Sequence, residues 1–160
     1  MSFRFEKKMV TSLLRRKQFN RGPLQGKYWR VILDGTGLFY FKEKHCENCL
    51  CTTRKTDDGK TTKLYYHKAL TAKIVLDDSV IIILGTEFIE NEMEDVNKQD
   101  YEINAAKRLF RKIKKEYPRL PIGIQADALY AAEPFMELCR EKYHWEYIFV
   151  VVKHFCNTCG

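Results

Sequence analysis

The sequence predicts an α/β fold in which an antiparallel meander of strands is followed by α-β crossovers, giving a mixed sheet with helices on its faces. Three observations predict it. Short β-branched or apolar runs bounded by turn residues, such as Val31-Ile32-Leu33 and Ile122-Gly123-Ile124, read as buried strands. Other stretches carry apolar residues at helical spacing between basic ones. The order of these segments is one helix, three or four strands in succession, then helix, strand, helix, strand.

Residues 5–18 are expected to be helical, because Phe5, Met9, Leu13 and Leu14 recur near a 3.6-residue period. Gly22-Pro23 and Gly26 break that helix. Residues 27–33 form a strand ending at Asp34, Gly35-Thr36-Gly37 a tight turn, and residues 38–42 the returning strand of a hairpin. A polar excursion follows, with Asp58-Gly59 as a turn. Residues 64–76 resume as a strand with a bend near His67; Asp77-Asp78 turns the chain into a strand over 79–84, and the acidic stretch 87–99 is expected to be loop.

Asp100 is expected to cap a helix running through Tyr117, with Glu102 in its first turn favouring the helix dipole. Ile103, Ala106, Leu109, Phe110 and Ile113 make its buried stripe, and Pro118 and Pro121 stop it. Residues 121–126 form the next strand, ending at Asp127. Residues 129–143 form a helix with Phe135 and Leu138 inward, and residues 145–152 a last strand. The organisation is a basic N-terminal helix and linker over 1–26, then one domain over 27–160 with a Cys/His insertion at 43–67.

The 160 residues suffice for one domain with a real core, and 45% of them are hydrophobic, which excludes a disordered chain. No apolar run approaches the length of a membrane span, and the basic start lacks the apolar centre of a signal peptide, so the expected location is cytoplasmic. The net charge of +7 is concentrated in two blocks. Residues 1–30 hold nine Lys/Arg against Glu6, and residues 107–119 hold seven against Glu116. Such blocks suit a polyanion, because Lys/Arg contacts release the counterions condensed on phosphates; the alternative is a solvated helix face. Arg108, Arg111, Lys114 and Lys115 are the candidate DNA contacts. Tyr65, Tyr66 and Tyr130 could stack on bases or fill a sheet face.

Asp34 and Asp127 carry the most chemistry. Each follows a short apolar strand, and carboxylates at the ends of neighbouring strands can share divalent metals, the arrangement of enzymes that cut or join phosphodiesters. Either acid taken alone reads first as a turn residue, and it is the pair that points to metal. Hard oxygen donors suit Mg²⁺ or Mn²⁺ rather than zinc. A separate candidate site is His45-Cys46-x-x-Cys49-x-Cys51 with His67 on the returning strand. A Cys-x₂-Cys pair plus His67 would bind structural zinc, with His45 or Cys51 as the fourth ligand; the alternative is a set of reduced thiols. Cys156-x-x-Cys159 has metal spacing too but reads as a pair of free thiols.

The chain resembles the catalytic domain of DDE-type transposases, the ribonuclease-H-like enzymes of insertion sequences. The resemblance rests on Asp34-Gly35-Thr36-Gly37, His45-Cys46-Glu47-Asn48-Cys49, Tyr65-Tyr66-His67, Lys98-Gln99-Asp100 with Glu102, Asn104-Ala105-Ala106-Lys107-Arg108-Leu109 and Asp127-Ala128-Leu129-Tyr130-Ala131. It spans residues 13–149 in order and spacing. It implies a ribonuclease-H-like sheet, with Asp34 and Asp127 as the first two catalytic acids holding Mg²⁺ or Mn²⁺. The implied partner is double-stranded DNA at insertion-sequence ends, and the implied active form an oligomer. The family carries a third acid, usually Glu, on a later helix, but residues 150–160 no longer resemble it. That implies a truncated or frameshifted chain, inactive or nearly so. Glu87, Asp100 and Glu102 are the acids that could substitute, although Asp100 and Glu102 are accounted for as helix-start residues. The alternative function is a non-catalytic nucleic-acid-binding module with a structural zinc site.

Overall fold

A computed structural model describes residues 3–15, 23–43, 46–55, 59–77, 79–90 and 98–150. Helix α1 (Phe3–Arg15) precedes strands β1 (Pro23–Leu24), β2 (Tyr28–Phe41), β3 (Leu50–Lys55), β4 (Thr61–Val75) and β5 (Ile81–Ile89). Helix α2 (Lys98–Glu116), strand β6 (Ile122–Asp127), helix α3 (Glu133–Glu137) and strand β7 (Glu146–Val150) follow. The expected mixed α/β architecture is present.

Among the described residues the strands form one mixed sheet of seven, one of which is the two-residue β1. β2 lies antiparallel to β4 and parallel to β6, and β6 is parallel to β7. β4 carries β3 along residues 61–66 and β5 along residues 68–75, both antiparallel and both on the edge away from β2. The strand order through the body of the sheet is thus β5-β4-β2-β6-β7. His67 falls where that outer edge passes from β3 to β5.

Side chains alternate across each strand, so burial and register define the two faces. Val31, Leu33, Leu70, Ala72, Ile74, Leu84, Ile122, Ile124 and Ala126 point to one face and are buried. There α2 lays down Ala105, Ala106, Leu109, Phe110 and Ile113, all buried. Phe110 then meets Phe135 of α3 at 5.4 Å, Tyr143 at 5.7 Å and Trp145 at 5.1 Å between ring centroids. α1 buries Val10 and is tied to α2 by the Lys7–Glu116 ion pair at 2.8 Å. The opposite face presents Ile81, Ile83, Phe88, Ile148 and Val150, all exposed.

Three local expectations are corrected. Gly35-Thr36-Gly37 is no turn: β2 runs through it, paired with β4 from Arg30↔Val75 to Phe41↔Tyr65. Neither glycine has positive φ. Gly35 serves close approach instead, since a Cβ there would lie 2.8 Å from Lys68 Cε and 2.9 Å from Glu102 Oε1. Residues 87–89, expected in a loop, extend β5, and α2 begins at Lys98, two residues before Asp100. The single helix over 129–143 is divided. A 3₁₀ turn (Ala128–Tyr130) is followed by α3, with Pro134 in its first turn, and then by a π-helical segment (Leu138–Tyr143) that His144 closes at φ 55°. Phe135 points inward as expected, and Cys139, rather than the half-buried Leu138, is its fully buried neighbour.

Candidate functional site

Asp34 is not at the end of its strand. The pairing β2 makes with β6 does end just before it, at Ile32↔Gln125. Two residues further along each strand stand Asp34 and Asp127. The same register therefore sets the two acids side by side where β6 finishes, both on the sheet face away from α2. Both are exposed. They border a cleft of about 550 Å³ whose lining also includes Gly35, Lys68, Glu102 and Tyr130.

Each acid has a partner. Lys73 Nζ meets Asp34 Oδ2 at 2.6 Å, from a position diagonal to Thr71, the cross-strand neighbour of Asp34. Asp127 Oδ1 accepts the Leu129 backbone N–H at 3.0 Å and so caps the 3₁₀ turn. The turn role weighed for Asp127 is thus real, and it aims the carboxylate at the cleft.

Glu102 is the residue the sequence reading placed elsewhere. At 6% exposed it is the buried charged residue among the described ones. It reaches the cleft from the α2 side, where Lys68 Nζ pairs with Oε2 and the Tyr130 hydroxyl donates to Oε1 at 3.0 Å. A signal was present: Glu102 lies three, four and seven residues before Ala105, Ala106 and Leu109, on the stripe that faces the sheet. An acid on a buried stripe needs a polar partner, which a first-turn dipole role would not supply.

Burial, then the charge of Glu102, then those of Asp127 and Asp34, hold the Tyr130 phenol far above its usual range, so it stays a neutral donor. The cleft gathers three carboxylates against the ammonium groups of Lys68 and Lys73. That leaves one negative charge in excess. Asp34 and Asp127 approach from one face of β2 and Glu102 from the other, and the three do not form a cluster whose oxygens all lie within 4.8 Å. The exposed pair offers hard oxygen donors of the kind Mg²⁺ or Mn²⁺ takes, while Glu102 is engaged by Lys68 and Tyr130.

Cys46, Cys49 and His67 do come together. Cys46 Sγ lies 3.5 Å from Cys49 Sγ and 3.6 Å from His67 Nε2, and Cys49 Sγ lies 3.5 Å from His67 Nε2. Among the described residues this is the group of three able to hold a metal ion. Burial raises the Cys49 thiol above its ordinary pKa, with the Cys46 N–H as the main opposing influence. Cys51 is exposed on β3 and is not in the group. His45, Cys156 and Cys159 lie outside the described residues.

The basic residues of α2 are spread around the helix. Arg108 is half-buried; its Nε donates to Glu87 at 3.0 Å and its Nη2 to the Phe88 carbonyl at 2.9 Å, which locks α2 to β5. Arg111 is exposed and donates to the Lys107 carbonyl at 3.3 Å. Lys114 Nζ donates to the Tyr143 carbonyl at 3.4 Å, and Lys115 is exposed. Lys114 and Lys115 stand about 18 Å along the helix from Glu102. Of the tyrosines, Tyr66 is buried and stacks on Tyr40 at 5.3 Å, and Tyr130 lines the cleft.

No described helix is long and apolar enough to cross a membrane. Compared with protein-family models, curated proteins and solved structures, the chain matches none.

Proposed function

We propose that this chain is a nucleic-acid-handling domain of the DDE-transposase type, with Asp34 and Asp127 as its metal-holding acids. The observation that carries the reading is their equal register on neighbouring parallel strands at the mouth of the cleft. The strand order β5-β4-β2-β6-β7, antiparallel on one side of β2 and parallel on the other, supports a ribonuclease-H-like sheet. A Mg²⁺ or Mn²⁺ ion bound there would supply Lewis-acid activation of a phosphodiester and of its attacking oxygen.

The chain's own residues define the rest. Lys73 pairs with Asp34 Oδ2, and a cation held by Asp34 would compete with that ammonium for the carboxylate. The capped turn after β6 orients Asp127. Gly35 leaves the gap through which Lys68 and Glu102 approach the acids. Glu102 stays committed to Lys68 and Tyr130. We infer that the 160 residues bind divalent metal and DNA without turning over.

The test is Mn²⁺ titration and plasmid nicking by the purified chain, by Asp34→Ala and by Asp127→Ala. Wild type should bind Mn²⁺, both variants should lose most of that binding, and nicking should stay near background. Mn²⁺ affinity unchanged in both variants removes the acid pair from function and favours the non-catalytic nucleic-acid-binding module. Nicking that Asp34→Ala abolishes would sustain the acids and overturn the inactivity.

A further inference from the structure

We propose that Cys46, Cys49 and His67 bind one zinc ion that fastens the turn at residues 46–49 to β4. The three donor atoms form a triangle. Tetrahedral zinc, with Zn–S about 2.3 Å and Zn–N about 2.0–2.1 Å, sets its ligand atoms about 3.8 Å apart for S···S and about 3.6 Å apart for S···N. The three observed separations are 3.5, 3.6 and 3.5 Å. They form one face of such a tetrahedron, with a sulfur, a sulfur and an imidazole nitrogen at its corners. The donor set is soft and borderline, which selects zinc over the hard cations that suit the carboxylate cleft.

The backbone is arranged for the same purpose. The Cys49 N–H donates to the Cys46 carbonyl at 3.2 Å, closing the turn, while the Cys46 N–H points at Cys49 Sγ at 3.4 Å. Cys49 is buried at the base of the group and Cys46 is exposed at its rim. Cys51 stands outside, so the described residues supply three ligands and one further donor completes the shell.

The position gives the ion a structural task. Among the described residues His67 has no cross-strand partner on the outer edge of β4, since β3 pairs through Tyr66 and β5 begins at Lys68. At this junction of two short partners a metal tie holds the incoming turn and β3 against the long strand. His67 and Thr71 share a face of β4, four residues or about 13 Å apart. Thr71 pairs with Asp34, so the zinc lies well away from the carboxylates and takes no part in their chemistry. The proposal stands whether or not the chain handles DNA.

The experiment is elemental analysis of the full chain loaded with Zn²⁺ under reductant and freed of excess metal. It is paired with Co²⁺ substitution and with folding checked by circular dichroism. Wild type should hold about one zinc per chain. A Cys156→Ser/Cys159→Ser variant should keep it, and Cys49→Ser and His67→Ala should lose it. The Co²⁺ form should show sulfur-to-cobalt charge transfer and the intense visible bands of a tetrahedral site, with the charge-transfer band weaker in Cys46→Ser. Should Cys49→Ser fail to fold, His67→Ala and the wild-type Co²⁺ spectrum decide. A metal-free wild type overturns the proposal, as does a Co²⁺ form without sulfur charge transfer. Zinc that survives in His67→Ala and disappears with Cys156 and Cys159 overturns it as well.

Discussion

Replacing Lys68 by Met removes the ammonium that faces Glu102 and keeps most of the aliphatic stem in the cleft wall. In the folded chain the Lys68 and Glu102 side chains are 17% and 7% exposed, so the pair is shielded on both sides. Taking one partner from a buried pair strands the other charge and costs about 3–5 kcal/mol. Lys68 keeps some contact with solvent, and the Tyr130 hydroxyl at 3.0 Å still solvates the carboxylate. The expected loss therefore sits at the lower end, about 3 kcal/mol, or about 6–12 °C in Tm for a domain of this size. Glu102→Gln placed on top of Lys68→Met removes the stranded charge. The double variant should therefore be more stable than the sum of the two single losses predicts, by about 1–3 kcal/mol. Urea titration at neutral pH, followed by circular dichroism on wild type, both single variants and the double variant, measures that coupling. If the single losses add to the double within about 0.5 kcal/mol, Glu102 is not held by Lys68 in solution. The account of the cleft as a charged, braced site would then be wrong.

Two further predictions concern titration. Asp77 Oδ1 accepts the Ser79 N–H at 2.8 Å, the Ser79 hydroxyl at 2.9 Å and the Val80 N–H at 2.8 Å, and the Ser79 bonds lead in holding its carboxyl below the usual range. Its contribution is complete above the unfolded pKa of about 3.9 and is lost as pH falls through the lower folded value. Asp77→Asn should flatten the acid limb of a stability–pH curve, and an unchanged limb would refute the assignment. Burial pushes the Cys139 thiol up to about 12. Folding then favours its neutral form, so stability should decline as pH rises above the unfolded value of about 8.5. In thiol labelling at pH about 8.5, exposed Cys51 should react in the native chain and Cys139 only in urea; native labelling of Cys139 would contradict its burial.

Much of this chain was legible in its residues. The stripe Ala106, Leu109, Phe110 and Ile113 set the buried face of α2, and the apolar runs set β2 and β6, because periodicity records which side of an element meets the core. Cys46-x-x-Cys49 marked two thiols that meet in the fold, since that spacing returns two sulfurs to one place. Asp34 and Asp127 were legible as acids following apolar strands. Their pairing was expected from the sequence, but the geometry of it rests on a parallel register between segments some ninety residues apart in sequence.

Tertiary structure decided the rest. Gly35 and Gly37 carry turn chemistry in the sequence, yet the long pairing with β4 holds them extended, and Gly35 leaves room for the ends of the Lys68 and Glu102 side chains. Glu102 looks like a first-turn acid until the fold buries it against Lys68 and Tyr130. His67 was named with the cysteines from the sequence; that it meets Cys46 and Cys49, and that exposed Cys51 stands outside, follows from the turn folding back on β4. The sequence by itself determined the apolar stripes of the strands and of α2 and which residues can carry chemistry, because hydrophobic pattern and donor type are local properties. Which of those groups face one another was settled by strand register, and register is a property of the whole sheet.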